Sequence, residues 1–401
     1  MGDSSIGSGE LARLVITAAV AAGAACAATS LYLSHGISPL SMLVGSSSSP
    51  PGAASASKSK SKKRKSKSKL KDRSSTGSQL DLAAMSTAAT APGAGGGPAA
   101  YETRRAVDEY LQFHFGAPDD ILPYKDAPHT ALRFPSRCAD LCAKHCNSVK
   151  LAPRADPAPG LALDVGCAVG GASFELARHF GQVVGVDLSR GFVAAARLMR
   201  DRGKLHYNAL REGTIIDRLE ASVPERIDRA RVHFREGDAC DLPASLLGGG
   251  GDGDAFAEYG RHDAVLAANL LCRLPDPAAF LAACPRLVRP GGVLVLVSPY
   301  SWLEAWTPRD KWLGGFREVA RGAGLEDFGG TGDAGGVSNG DASNARRTFE
   351  TIRAALTSEE GGFDLVEQSD MPFLIKEHDR KYQWGCSHAT VWRRRRREKH
   401  A

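Results

Sequence analysis

The chain predicts an α/β fold, a doubly wound mixed sheet with helices on both faces, and three observations carry that expectation. Short apolar runs of strand length alternate with segments of helical periodicity along most of the sequence. A glycine turn, Gly166-Cys167-Ala168-Val169-Gly170-Gly171, follows one such run and opens a helix. The next run stops on an acid, Asp187, at the distance that nucleoside-binding turns use.

The elements follow in order. YETRRAVDEYLQFHFG, from Tyr101, sets Val107, Tyr110, Leu111 and His114 at helical spacing and stops at Gly116. Leu161 to Val165 reads as the first buried strand, Ser173 to Phe180 as the helix after the turn, and Val183 to Val186 as the next parallel strand. Gly191 to Arg202 reads as a helix, and a polar excursion from Gly203 to Arg229 leads to a third strand at Arg231 to Phe234. His262 to Ala268 is the fourth strand and Pro277 to Leu287 a helix, which Arg289-Pro290-Gly291-Gly292 ends before a fifth strand at Val293 to Val297. Two last strand candidates lie near Phe363 to Gln368 and His388 to Trp392, where a closing pair with one antiparallel member fits the spacing.

Charge divides the chain. The first hundred residues hold 11 of the 51 Lys and Arg but 4 of the 45 Asp and Glu, which leaves the remainder at 40 against 41. The net +6 therefore belongs to the tails, and no nucleic-acid reader motif accompanies it, which argues against that partner. A leader over 1–13 precedes a charge-free stretch from Leu14 to Leu33, long enough as a helix to cross a bilayer. It reads as an anchor, with a cleaved signal, an organelle presequence or a soluble helix as alternatives. The basic run Ser57 to Lys71 suits anionic headgroups and would keep the folded part cytosolic. Residues 34–100 read as a disordered basic and low-complexity linker, 101–394 as the folded domain, and 395–401 as a solvated basic tail that continues the block Arg393 to Arg397. The stretch 248–260 reads as a surface insertion. Nine cysteines in no paired framework argue against a secreted disulfide scaffold. Cys138, Cys142 and Cys146 recur every four residues without CxxC spacing, which favours buried packing over a metal site.

The turn and Asp187 together imply a nucleoside-type cofactor, with Asp187 accepting hydrogen bonds from ribose hydroxyls. Asp238 and Ala239, after the third strand, are placed to meet the base, although Asp238 would serve equally as a turn residue or helix cap. Asn269, beyond the fourth strand, faces the cofactor or substrate. The GxGxxG of a dinucleotide site is not met. The spacing Asp164, Gly166, Cys167 and Gly170 instead resembles the DxGCxxG turn of class I S-adenosylmethionine methyltransferases, which implies their Rossmann-like sheet and their cofactor.

Five segments narrow the resemblance: LDVGCAVGGASFELARHF, VLAANLLCRL, SPYSWLEAWTPRDKWLGGF, YETRRAVDEYLQFHFGAPDDILPY and MPFLIKEHDRKYQWGCSHATVWRR. Over most of Tyr101 to Arg394 the chain is similar to the carboxyl-terminal domain of the ovothiol biosynthesis enzyme, a family described as 4-mercaptohistidine N1-methyltransferases. It departs in its glycine-rich insertions at 248–260 and 322–345. Nothing between Met1 and Ala100 matches the iron-dependent sulfoxide synthase portion of the bifunctional enzyme, so carbon-sulfur bond formation is expected elsewhere. The resemblance implies methyl transfer to a small imidazole or thiol-histidine acceptor.

Such a transfer needs alignment in a dry, aromatic pocket more than a strong acid or base, and an imidazole nitrogen attacks when neutral. Tyr300, Trp302, Trp306 and Trp312, after the fifth strand, and Tyr101, Tyr110 and His114 on the lead-in helix are the pocket candidates. Ordinary packing is the competing account of each. Arg309 and Lys311 are candidate partners of a substrate carboxylate, against plain exposed charges. Two other functional classes stand beside this one, an NAD(P)-dependent oxidoreductase and a catalytically idle, membrane-tethered adaptor.

Overall fold

The computed structural model describes residues 97–147, 149, 160–247, 262–317 and 345–396. Strands β1 (Leu161–Val165), β2 (Gln182–Asp187), β5 (Val232–Glu236), β6 (His262–Ala268), β7 (Val288–Ser298), β8 (Phe363–His378) and β9 (Lys381–Arg394) form one sheet, ordered β8-β9-β7-β6-β1-β2-β5. Strand β1 runs parallel to β2 and β6, while β9 runs antiparallel to both β7 and β8, so β9 is the one reversed member. The expected closing pair is thus present, as a hairpin much longer than its two apolar cores suggested.

Alternation along each strand decides which helices cover which face. Ala162, Leu266, Val293 and Val295 point to one face and share a core with α1 (Arg104–Phe115), α2 (Phe134–His145), α3 (Gly171–Leu176) and α4 (Arg190–Arg202). Leu163, Val165, Val265 and Leu294 point to the other, against α5 (Pro277–Leu287) and α6 (Thr348–Thr357). Both faces are covered, which is why these strands read as continuous apolar runs. Side-chain caps start three of these helices: Thr103 Oγ1 accepts from Ala106 N–H, Ser189 Oγ from Phe192 N–H and Asp276 from Ala279 N–H, starting α1, α4 and α5.

Several expectations need correction. The segment after Gly203 is no polar excursion but a hairpin, β3 (Lys204–Glu212) with β4 (Ile215–Ser222), turning at Gly213. Tyr207, Ala209 and Ala221 are buried along it while the intervening polar side chains face water, so its hydrophobic signal is only half a strand wide. Helix α3 starts two residues before Ser173 and ends at Leu176, and the strand expected at Arg231 begins one residue later and runs to Glu236. Arg289 to Gly292 do not separate a helix from a strand. They lie within β7, at a register shift against β6.

The arginine block at the carboxyl end is not wholly solvated. Arg393 guanidinium nitrogens donate to Gly291 O and His145 O, Arg394 donates to Val288 O, and Arg395 N–H donates to Gly362 O. The Arg393 and Arg394 side chains and the Arg395 backbone amide thus tie the end of β9 to its neighbours. Cys138 and Cys142 lie buried along α2 and Cys146 buried at its C-cap, and burial pushes the Cys142 thiol well above its ordinary range. No helix among the described residues is long and apolar enough to cross a membrane. Leu14 to Leu33, the basic run, and the insertions at 248–260 and 322–344 lie outside the described residues.

Candidate functional site

The carboxyl ends of β1, β2, β5 and β6 open into a cavity of about 390 Å³. Backbone geometry makes the opening. Gly166, with φ +77°, turns the chain off β1, and Gly166 N–H and Cys167 N–H both donate to Val186 O, so the turn folds back over the end of β2. Ala168 adopts φ +46° and gives its N–H to Asp187 Oδ2 at 2.8 Å, while Ser189 N–H donates to Asp187 Oδ1 at 2.9 Å. Each Asp187 oxygen keeps a lone pair for a further donor. Asp164, Gly166, Cys167, Asp187, Asp238, Ala239 and Asn269 all line this cavity.

Asp238 lines the cavity and also serves as a turn residue, its Oδ1 accepting from Cys240 N–H at 2.8 Å. Asn269 sits at φ +53° and its Oδ1 accepts from Ser387 Oγ at 2.7 Å, which couples the cavity to β9. Gly170 does not line the cavity. A Cβ there would stand 2.5 Å from Phe234 Cζ, so packing accounts for this glycine and not ligand approach.

Among the aromatic candidates, Tyr101, Tyr110, His114 and Trp306 line the cavity. Tyr101 is the hub, with ring centroids 4.8 Å from Trp306, 5.5 Å from Phe192 and 5.7 Å from Tyr110. Tyr300 and Trp302 do not line it. Tyr300 Oη pairs with His388 Nδ1 at 2.9 Å, and Trp302 stacks on Trp312 while its N–H donates to Thr348 Oγ1. Their chain position after β7 placed them at the right end of the sheet, but β9 and α6 take them. Lys311 is committed to Asp276 at 2.9 Å, and Arg309 lies over the Trp312 ring. Sequence reasoning missed Phe113, Phe134, Ile375 and Arg273, which share the cavity wall.

His114 is held in one tautomer. Gly171 N–H donates to its Nδ1 at 3.0 Å, so the ring proton rides on Nε2. Burial lowers its pKa to about 3, which keeps the ring neutral. The approach requires Gly171 to lack a side chain, because a Cβ would fall 2.7 Å from that nitrogen.

Burial acts oppositely on the acids. Asp164, which accepts from Ser173 Oγ at 2.6 Å, is pushed up to about 7, and Asp187 to about 6. Both folded values exceed the ordinary 3.8, so the folded state binds more protons than the unfolded one between these limits. The stability this contributes is complete below about pH 4 and is lost as pH rises through 6 and 7. Ligand affinity should run the other way, because ionised Asp187 is the better acceptor. The unliganded protein should therefore melt lower at about pH 8 than at about pH 5 while a ribose-bearing ligand binds more tightly, measurable by thermal shift and titration calorimetry. Parallel pH trends in the two measurements would contradict this placement of Asp187.

Residues 163–294 match the family model for a methyltransferase domain. A ubiquinone biosynthesis O-methyltransferase from Xanthomonas oryzae is 33% identical over 143 residues, 36% of this chain and 44% of that protein. Its counterpart from Pasteurella multocida is 27% identical over 164 residues, 40% of this chain and 56% of that protein. The chain thus spans about half the length of these curated relatives. Among solved structures, a magnesium protoporphyrin IX methyltransferase from Synechocystis with bound SAH aligns over 73% of this chain and 96% of that one, at 15% identity and a TM-score of 0.37. The carboxyl ends of β1, β2, β5 and β6 that open into the cavity lie within this matched methyltransferase stretch, whose cofactor would be S-adenosylmethionine. The residues present fit it: a carboxylate for the ribose, a second acid with a free oxygen beyond β5, and an aromatic wall.

Proposed function

We propose that this chain methylates a small molecule with S-adenosylmethionine, and that the acceptor is an imidazole of the 4-mercaptohistidine type. The observation that carries the methyl-transfer reading is the shared cavity, in which the Asp187 end and the aromatic wall of Tyr101, Tyr110 and Trp306 face one enclosed space. The finer choice of acceptor is supported by the five sequence segments that resemble the ovothiol family.

The cofactor supplies a methyl group on a sulfonium, which aromatic faces attract. The chain's own residues do the rest. Asp187 and Asp238 fix the nucleoside end, Asn269 is held rigid by Ser387, and the aromatic wall excludes water around the reacting end. Neutral His114 offers an Nε2–H to an acceptor atom without adding positive charge beside a sulfonium. No residue need remove a proton from an imidazole that is already neutral, so positioning dominates.

The stretch Leu14 to Leu33 and the basic run to Lys71 support a membrane tether with this domain on the cytosolic side. Imaging a tagged full-length chain tests that; a uniformly soluble fraction after lysis would remove it. For the chemistry, the full chain is incubated with labelled S-adenosylmethionine and, in parallel, 4-mercaptohistidine, histidine and a phenol, since the relatives named above are O-methyltransferases. Label transfer to 4-mercaptohistidine is expected. Transfer to the phenol alone would replace the acceptor but keep the reaction, and binding without transfer to any acceptor would favour an idle adaptor.

A further inference from the structure

We propose that Arg273 and Trp306 together hold the carboxylate of an amino-acid group on a small molecule bound in the cavity, a role that rests on the methyltransferase reading above. Arg273 ends the short turn Leu271–Arg273 that follows β6, and it lines the cavity. One nitrogen, Nη1, is anchored, donating to Cys272 O at 2.9 Å and Ser301 O at 3.0 Å. Among the described residues, Nε and Nη2 make no hydrogen bond and the guanidinium makes no ion pair. A half-buried arginine without an acid is uncommon, because its desolvation is normally offset by a counter-charge.

The second observation is independent. Trp306 is only 5% exposed and lines the same cavity, yet its indole N–H has no acceptor. A buried donor left unpaired costs about 1–3 kcal/mol, so it marks a place where a ligand atom belongs. The other buried side-chain nitrogen and oxygen atoms without partners, on Glu109, Gln112 and His179, belong to residues outside the cavity wall. The Arg273 guanidinium lies over the Trp306 ring, its carbon 5.6 Å from the centroid, so the two residues form one stretch of the wall.

Among the described residues, none of the cavity's own acids pairs with Arg273. Asp187 is held by two backbone amides, Asp164 by Ser173, Glu102 by Arg190 N–H and Asp238 by Cys240 N–H. The nearby cations that the sequence offered are committed, Lys311 to Asp276 and Arg309 to Glu304 and the Trp312 face. The cavity wall therefore holds several carboxylates engaged elsewhere and one guanidinium with an open edge beside one unpaired indole N–H. A single positive charge and a neutral donor in an apolar wall match one carboxylate, which takes the open edge of the fork in charge-assisted bonds.

Two molecules in this reaction carry such a group, the cofactor's methionine portion and an amino-acid acceptor. Arg273→Met removes the charge and Trp306→Phe removes the indole N–H, and each keeps an apolar side chain in the wall. Calorimetry on the full chain would compare S-adenosylhomocysteine with 5′-methylthioadenosine, which lacks the carboxylate, and, at saturating S-adenosylhomocysteine, 4-mercaptohistidine with 4-mercaptohistamine. The carboxylate-bearing member of one pair should weaken about 10- to 100-fold in Arg273→Met and less in Trp306→Phe, while its carboxylate-free counterpart stays unchanged. Loss in the first pair assigns the carboxylate to the cofactor, and loss in the second assigns it to the acceptor. Equal affinities across both pairs, or equal weakening of both members of a pair, would overturn the proposal. If the wild-type chain binds neither adenosine compound, the methyltransferase reading itself fails.

Discussion

Asp187→Ala is expected to weaken S-adenosylhomocysteine binding by at least about 100-fold, because two hydrogen bonds from ribose hydroxyls to a charged acceptor contribute about 1.5–3 kcal/mol each. The same carboxylate receives Ala168 N–H and Ser189 N–H, so its loss also loosens the turn that shapes the cavity. Fold stability should change far less. Burial already raises the pKa of this acid to about 6, so its charge is retained at a cost to the folded state, and removing it relieves that cost. Asp187→Asn keeps one acceptor oxygen and should fall between the two. Titration calorimetry with circular dichroism on each variant separates the effects, and a wild-type affinity in a folded Asp187→Ala protein would refute the assignment of the ribose to β2.

What the sequence made legible follows from how local each signal is. Strands β1 and β6 and helix α5 fall at the bounds read from the chain, because an apolar run between turn residues needs no partner to be recognised. The acids and the turn were legible for the same reason, since Asp164, Gly166, Cys167 and Asp187 are fixed by one strand-turn-helix-strand unit. The β3–β4 hairpin was not. Its outward positions, Lys204, His206, Asn208 and Arg218 among them, are polar, and its exposed Ile215 and Ile216 sit at the turn and not in a core.

The aromatic assignments divide on tertiary contact. Trp302, Trp306 and Trp312 share one segment and one composition, yet only Trp306 meets Tyr101, because Thr348 of α6 claims the Trp302 N–H and Thr307 O the Trp312 N–H. Arg273 was passed over since nothing in its local sequence distinguishes an arginine with an acid from one without. Its significance is a missing partner, and a missing partner is a property of the folded molecule.

Gly170→Ala should be the most destabilising small substitution at the turn, and its test asks what this glycine is for. Gly170 caps α3 at φ +89°, a conformation that costs a side-chain-bearing residue about 1–2 kcal/mol. The new methyl would also meet Phe234 Cζ at 2.5 Å and Cε1 at 2.9 Å, an overpacking that costs about 1–3 kcal/mol. Together, about 3 kcal/mol corresponds to a melting temperature lower by about 6–12 °C for a domain of this size. Phe234 has little room to give, because its ring already lies against Gly185, where a Cβ would stand 2.7 Å from Cδ1. Shortening the ring therefore has to restore part of the loss: in a Phe234→Leu background, Gly170→Ala should cost about half as much, since the backbone strain stays and the clash goes. Equal costs in the two backgrounds would mean that Phe234 is not what excludes a side chain at this position. A selective loss of S-adenosylhomocysteine affinity at unchanged melting temperature would return Gly170 to the cofactor.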